Sequence, residues 1–232
     1  MLISISCPKL SFIPLDAALR EIGGKFEGIE LLAEEEHSAE KIKRTGLRSS
    51  IHAPFNDLNI ASLKEEHRLY SVNEIKKAIL AAERSGMELV TFHPGWPSPF
   101  SVLAKDRVIE NSKKSIEELN SFASAHRVTL CAENLPNFFS TAEELLEVTD
   151  NICFDIGHAN ITKTIDTFLD HKKSIKNVHV HENRGEHDEH LAVSGRYIDI
   201  EGIIKELGNK NYVMEVTSIE DGERSRDFLL RL

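Results

Sequence analysis

Eight short runs of β-branched and apolar residues alternate along this chain with longer segments in which apolar residues recur at helical spacing. The runs are Leu2–Ser6, Gly28–Leu32, Arg48–His52, Glu88–His93, Thr129–Glu133, Ile152–Asp155, Asn177–His181 and Tyr212–Val216. Such alternation is typical of βα units repeated around a parallel sheet, and eight units close the sheet into a barrel. We therefore predict an α/β protein with the (β/α)8 TIM barrel fold.

The barrel is expected to form one domain. The chain of 232 residues lies within the size range of a single α/β barrel, and no Pro/Gly/Ser-rich linker divides it. Amphipathic patterns predict helices over Tyr70–Ser85 and Asp106–Ala125. We assign residues 1–232 to this domain. Its longest non-helical connections are expected at Ala53–Glu66, Pro94–Lys105 and Glu182–Ile198, and loops of this length are usually functional.

Composition favours a soluble cytoplasmic protein. Acidic residues outnumber basic ones by 38 to 28, so the chain offers no broad basic face and nucleic acid is the less favoured partner. The three cysteines lack CxxC spacing and are interpreted as buried reduced thiols. No apolar run approaches the roughly 20 residues that a membrane helix needs. Homo-oligomerisation is compatible with the sequence, although no segment stands out as an apolar interface.

Ionisable side chains stand at the ends of six predicted strands in turn. They are His52, His93, Glu133, Asp155, the pair His179 and His181, and Glu215. Parallel barrel strands all finish at one rim, so these groups are expected to meet in a single pocket. Charged groups at the ends of apolar strands are costly to desolvate unless they are paired or bind a metal. Imidazole and carboxylate together suit Zn²⁺, Mn²⁺, Co²⁺ or Fe²⁺, and we expect one to three divalent ions per chain.

Two further segments contribute groups of the same type. Asp155 and His158 are three residues apart across a predicted strand-to-helix turn, where Gly157 is expected to allow a tight backbone. The segment after the seventh strand, HVHENRGEHDEH, is rich in histidine and carboxylate and includes Asp188 and His190. A solvated surface loop is the alternative interpretation of that segment.

Seven motifs occur in an order that resembles the xylose-isomerase-like barrels. They are SIHAPFNDLNIAS, VTFHPG, CAENLP, CFDIGHAN, VHVHEN, DEHL and VMEV. That family includes sugar and sugar-phosphate isomerases and epimerases, together with apurinic-site DNA repair enzymes of the endonuclease IV type. The resemblance covers nearly the whole chain, and its strength lies in the ordered series, since each motif alone is unspecific.

The resemblance implies a shared metal site and, in one branch, a larger one. The shared site corresponds to Glu133, Asp155, His179 and Glu215. The trinuclear set of the endonuclease branch would add His52, His93, His158, Asp188 and His190, and suitable ligands occupy all of these positions. The number of ligands therefore does not separate the two branches.

The favoured hypothesis is a metal-dependent sugar or sugar-phosphate isomerase or epimerase. By the resemblance, Glu133 and Glu215 would be a catalytic acid/base pair that moves a proton next to a metal-polarised carbonyl, although simple metal ligation is the alternative role. An endonuclease IV-like phosphodiesterase remains the alternative activity, and it would need basic DNA-contacting loops. The segment PFNDLNIAS carries no basic residue, and the seventh loop has only Arg184 and Arg196 against several carboxylates. A third hypothesis is a barrel that binds metal without turnover.

Three residues are assigned to substrate contacts. His181 ends the seventh predicted strand, and Trp96 could present an apolar face to a sugar. Where the family commonly continues from DEHL to a Gly-Glu-Gly turn, this chain reads AVSGRYID and places Arg196 after Gly195. Arg196 either recruits an anionic group such as a sugar phosphate or is an idle surface residue. Glu30 either faces the same pocket or pairs with a nearby cation, and it stays outside the assigned site.

Overall fold

Eight parallel strands form a closed barrel in the computed structural model, which describes residues 2–11, 13–34 and 46–232. Their neighbours in the sheet follow sequence order, and β1 pairs with β8 to close the ring. The strands are β1 (Leu2–Ser6), β2 (Gly28–Leu32), β3 (Arg48–His52), β4 (Leu89–Phe92), β5 (Thr129–Glu133), β6 (Ile152–Asp155), β7 (Ile175–Val180) and β8 (Asn211–Glu215). The predicted (β/α)8 TIM barrel is thus confirmed.

Helices follow the strands in the described part of the chain. They are α1 (Pro8–Ser11), α2 (Leu15–Ile22), α3 (Glu65–Ser85), α4 (Lys105–Ala125), α5 (Ala142–Leu146), α6 (Ile156–Thr162), α7 (Ile165–Asp170), α8 (Ile200–Leu207) and α9 (Ile219–Leu229). A 3₁₀ turn, Ser101–Ala104, leads into α4, within a connection that the sequence predicted as non-helical. None of the described helices has the length and apolar character required to cross a membrane.

The two longest helices cover the barrel with apolar stripes. Helix α3 buries Val72, Ile75 and Ile79 at helical spacing, and the corresponding stripe of α4 includes Ile116 and Leu119. All of these side chains belong to one continuous hydrophobic core. Burying a side chain of this size is worth about 1.5–3 kcal/mol, so the stripes fix both helices against the strands.

Helix α3 begins at Glu65, five residues before the predicted start at Tyr70. The cause is Arg68, a charged residue that is buried rather than exposed and therefore breaks the apolar periodicity. Its guanidinium donates to both carboxylate oxygens of Glu65 at 2.7 Å and to Ser115 Oγ at 2.8 Å. The first turn of α3 is thus held to α4 by polar contacts that hydrophobic spacing alone does not reveal.

Five strands have the predicted limits, and three are displaced. Strand β4 ends at Phe92 and β7 ends at Val180, so His93 and His181 come directly after their strands. Strand β8 ends at Glu215 rather than Val216. These shifts of one or two residues leave the ionisable groups at the carboxyl-terminal rim. The three cysteines are buried and free, as predicted.

Candidate metal centre

Glu133, at the end of β5, lies at the centre of the rim. Its Oε2 atom is 3.0 Å from His52 Nε2, 3.5 Å from His93 Nε2 and 3.4 Å from His179 Nδ1. These histidines come from three other strand ends, so one carboxylate contacts residues far apart in sequence. The convergence expected of a parallel barrel is therefore present at this rim.

The four residues of the shared metal site lie together. His179 Nδ1 is 3.3 Å from Glu215 Oε1 and 3.9 Å from Asp155 Oδ2, in addition to its contact with Glu133. One ligand atom from each of these four residues lies within 4.8 Å of the other three. Three carboxylates around one imidazole form a donor set of the kind that holds Zn²⁺ or Mn²⁺.

A second group of ligand-type residues lies beside the first, toward solvent. Asp188 Oδ2 is 3.1 Å from His158 Nε2 and 3.0 Å from His190 Nε2. His181 connects the two groups, because its Nε2 atom is 3.2 Å from Asp155 Oδ1 and 3.5 Å from Asp188 Oδ1. The structure thus brings together all nine positions that the family resemblance assigned to metal, and His181, assigned to substrate, lies between the two groups.

Backbone carbonyls fix the orientation of three of the histidines. The Nδ1 atoms of His52, His158 and His190 lie 2.8, 2.8 and 3.2 Å from the carbonyl oxygens of Ala53, Asn134 and Glu215. Because a carbonyl only accepts a hydrogen bond, each Nδ1 carries the hydrogen. Each Nε2 atom then faces a carboxylate and must hold either a proton or a metal ion there, as is usual for metal-binding histidines.

Several buried polar atoms at the rim have no hydrogen-bond partner. They are Asp155 Oδ2, His179 Nδ1 and both ring nitrogens of His181. Leaving a buried polar group unsatisfied costs about 1–3 kcal/mol, and more if the group is charged. A divalent cation bound between these atoms would remove that cost. The donor set and its unpaired atoms therefore fit a divalent metal ion.

The carboxylates of the cluster attract positive charge, which raises the pKa of two neighbouring histidines. Burial alone would lower the pKa of His52, but the hydrogen bond and charge of Glu133 outweigh it and raise that pKa to about 9. Burial likewise opposes protonation of His158, and the charge of Asp155 with the Asp188 contact raises its pKa to about 10. His93 differs, because burial dominates and lowers its pKa. The carboxylates therefore hold positive charge at this rim.

Two residues between the ligands position them locally. Asn134 donates from Nδ2 to the Asp155 carbonyl oxygen at 2.9 Å and accepts from the Asp155 backbone N–H at 2.7 Å, which joins the ends of β5 and β6.

Gly157 is required for a reason other than the predicted tight turn. A Cβ atom at this position would collide with the ring of His181. The glycine thus makes room for a buried imidazole.

Glu182 organises the loop that carries the outer ligands. Its carboxylate is buried and accepts hydrogen bonds from the backbone N–H and the hydroxyl of Ser194 and from the N–H groups of Tyr197 and Ile198, at 2.6–3.2 Å. Backbone hydrogen bonds also join Glu182 to Leu191 in both directions. Glu182 is therefore a buried structural anchor of this loop.

Glu30, which the sequence did not assign to the site, contacts one of the candidate ligands. It is buried in the barrel interior, and its Oε1 atom lies 2.8 Å from His179 Nε2. Its place at the third position of β2 was the available signal. That signal did not decide between the interior and the exterior face, because side chains alternate along a strand.

A cavity of about 230 Å³ opens next to the candidate metal ligands. Its walls include Leu32, His52, Phe55, His93, Glu133, His158, Asp188, His190, Glu215 and Thr217.

None of the three residues predicted to contact substrate is part of this lining. His181 is fully buried behind the ligands, and Arg196 is exposed with its guanidinium 5.3 Å from the Tyr197 ring centre. Trp96 is held through its backbone by Asn59, so the roles of these three residues remain predictions.

Comparison with known proteins places the chain in a family. The model of the xylose isomerase-like TIM barrel family matches residues 17–229. The chain belongs to this family. An uncharacterized protein of Methanocaldococcus jannaschii, MJ1311, is 31% identical over 95% of this chain and 86% of its own length. A probable endonuclease 4 of Aquifex aeolicus is 27% identical over 70% of this chain and 66% of its own length.

Solved structures with the same fold superpose over the whole chain. A D-tagatose 3-epimerase-like protein has a TM-score of 0.88 at 27% identity and matches over 96% of its length. TTHB071 protein from Thermus thermophilus, in a crystal soaked with ZnCl₂, has a TM-score of 0.80 at 22% identity and matches over 97% of its length. The barrel is thus shared with a sugar epimerase-like protein.

Proposed function

We propose that this xylose isomerase-like barrel is a metal-dependent sugar or sugar-phosphate isomerase or epimerase that transfers a proton next to a carbonyl. The observation that carries the proposal is the placement of Glu133 and Glu215. Both carboxylates lie within 3.4 Å of His179 Nδ1, and both line the same 230 Å³ cavity. A small substrate bound there would meet the candidate metal ligands and both carboxylates together.

The two carboxylates are suited to different parts of this chemistry. Glu133 is buried among His52, His93 and His179, and although burial alone would raise its pKa, these histidines hold it well below its usual value. That environment favours a permanently ionised metal ligand. Glu215 is slightly exposed to the cavity, which suits a group that accepts and returns a proton. A bound divalent ion would supply Lewis acidity that polarises the substrate carbonyl.

The cavity favours a small, uncharged sugar over its phosphate. It is smaller than the roughly 300–1,000 Å³ typical of pockets for drug-sized ligands. Its lining contains neither lysine nor arginine within the part of the chain that the structure describes. A phosphate group usually binds to such side chains or to a free helix N-terminus. At the eighth loop, the first turn of α9 instead carries Glu220 and Asp221.

Phosphodiester cleavage at abasic DNA is the second candidate, because the ligand positions beyond the shared site are complete. His52 and His93 join Glu133 on one side, and His158 and His190 join Asp188 on the other. Such a set could hold more than one ion. The acidic rim argues against a DNA backbone, since phosphates need basic contacts for affinity.

The test is metal-dependent exchange of a substrate hydrogen with solvent deuterium. Protein stripped with a chelator and reloaded with Mn²⁺, Co²⁺ or Zn²⁺ is incubated with a panel of ketoses, aldoses and their phosphates. We expect exchange only after reloading, and a loss on the order of 10²–10⁴-fold in Glu215→Gln. Glu66→Gln, an exposed carboxylate at the start of α3, is the matched control and should retain full exchange.

Two outcomes would replace the proposal. Nicking of an abasic-site oligonucleotide, with no exchange on any sugar, would establish the phosphodiesterase. Tight metal binding without activity on either substrate class would favour the non-catalytic barrel. Undiminished exchange in Glu215→Gln would refute the assigned proton transfer.

A further inference from the structure

We infer that Glu30 is a positioning residue for the metal centre, because it holds the Nε2 hydrogen of His179 and thereby presents the Nδ1 atom of that ring to the metal ion. The inference deepens the proposed function and rests on its metal site. It gives a role to a buried carboxylate that the proposed proton transfer does not use.

The contact between Glu30 and His179 selects one side of the imidazole ring. Glu30 Oε1 lies 2.8 Å from His179 Nε2, and both side chains are completely buried. A carboxylate in this place accepts a hydrogen bond, so Nε2 carries the hydrogen in the neutral ring. The lone pair of that ring is then on Nδ1, the atom that lies close to the other ligands.

The Nδ1 atom of His179 is oriented as a ligand atom should be. It is 3.3–3.9 Å from carboxylate oxygens of Glu133, Asp155 and Glu215. It has no hydrogen-bond partner, although it is buried. An unpaired nitrogen facing three carboxylates is costly without a cation and favourable with one. The opposite tautomer would turn an N–H toward the ion and abolish ligation.

A polar layer beneath the ligands holds the Glu30 carboxylate in place. Its Oε2 atom accepts hydrogen bonds from Ser50 Oγ at 2.7 Å and from Asn177 Nδ2 at 3.0 Å. Asn177 is fixed in turn by Thr91 Oγ1 at 3.0 Å and by Asn211 Nδ2 at 2.6 Å. These residues belong to five different strands of the barrel. The carboxylate therefore cannot rotate without breaking several buried hydrogen bonds.

A fixed anionic acceptor strengthens the histidine as a ligand in two ways. It keeps the ring in one tautomer and orientation, and it makes the metal-binding nitrogen more basic. Loss of such a partner typically weakens metal affinity by about 10–100-fold. We expect a loss of this size in Glu30→Gln, because the amide keeps the volume of the side chain but not its charge.

The experiment measures metal affinity rather than catalysis. Zn²⁺ and Co²⁺ dissociation constants of the wild type, Glu30→Gln and Glu65→Gln are obtained by competition with a chromogenic chelator. Glu65 is the matched control, because it loses a carboxylate bonded to the buried Arg68 without touching the metal centre. We expect weaker binding only in Glu30→Gln. A Glu30→Gln protein that is folded and binds both metals like the wild type would overturn the inference.

A second measurement needs no variant at position 30 and applies if Glu30→Gln does not fold. Long-range ¹H–¹⁵N spectra of histidine-labelled, Zn²⁺-loaded wild type report which ring nitrogen is protonated, with His179 assigned from His179→Gln. We expect a hydrogen on Nε2 and the metal on Nδ1, and the reverse assignment would overturn the inference. Wild type that binds no metal would overturn the proposed function and this inference together. Metal binding without exchange would refute the function alone.

Discussion

Substitution of Gly157 by alanine tests how tightly the candidate metal ligands are packed. Gly157 is the second residue of α6, and the three atoms closest to an added Cβ all belong to the His181 ring. Overpacking of this kind costs about 1–3 kcal/mol. Alanine regains up to about 1 kcal/mol of helix propensity. The helix gain and the collision therefore oppose each other at one position.

A double-mutant cycle separates the two effects. In the wild-type background, Gly157→Ala should lower the free energy of unfolding by the collision cost less the helix gain. In the His181→Ala background the collision is absent, so only the gain remains. The difference between the backgrounds should be about 1–3 kcal/mol. For a chain of this size, each kcal/mol corresponds to about 2–4 °C in Tm.

The assay is denaturant and thermal unfolding of the four proteins in the presence of a chelator, so that metal binding does not contribute. In metal-free protein the change in unfolding free energy reports packing alone, and metal affinity is measured separately. Because His181 must move in Gly157→Ala, its contacts with Asp155 and Asp188 should lengthen, and metal binding should weaken. Equal effects of Gly157→Ala in both backgrounds would refute the packing argument.

Two more predictions concern the loop and the histidines. Glu182→Ala removes the acceptor of four hydrogen bonds, one of them buried and three partly buried, so amide hydrogen exchange in residues 191–198 should accelerate. An unchanged exchange rate would show that other contacts hold the loop. Despite burial, which alone would lower them, the pKa values of His52 and His190 are raised to about 9 by Glu133 and Asp188. Protonation of these two histidines therefore stabilises the metal-free protein fully below pH 6.5, and this stabilisation is lost as the pH rises through about 9. A free energy of unfolding that does not change over that pH range would contradict this prediction.

The architecture was predictable because hydrophobic spacing sets it directly. Alternating strand and helix patterns determined the barrel, and parallel strands necessarily bring their carboxyl ends together. That topological rule was enough to gather Glu133, Asp155, His179 and Glu215 without any knowledge of contacts. The three displaced strands moved by one or two residues, which a barrel tolerates because its loops absorb the difference.

What escaped prediction depends on atomic contacts within the interior. The side of β2 that Glu30 faces follows from register with neighbouring strands, which periodicity does not report. Arg68 reads as a surface residue until Glu65 and Ser115 are seen around it. The local sequence suggests that Gly157 is a turn residue, whereas the His181 ring beside it leaves no room for a larger side chain. In each case a long-range partner, absent from the local sequence, decides the role.

The inner and outer candidate ligands belong to different kinds of structure, and this has an evolutionary consequence. Glu133 and His179 are part of the strands, whereas Asp188 and His190 belong to the loop anchored by Glu182. Insertions or substitutions in that loop could change the number of bound ions while the inner ligands stay in register. Related proteins could therefore acquire a different chemistry by changes in a single loop, while the hydrophobic strands of the barrel stay the same.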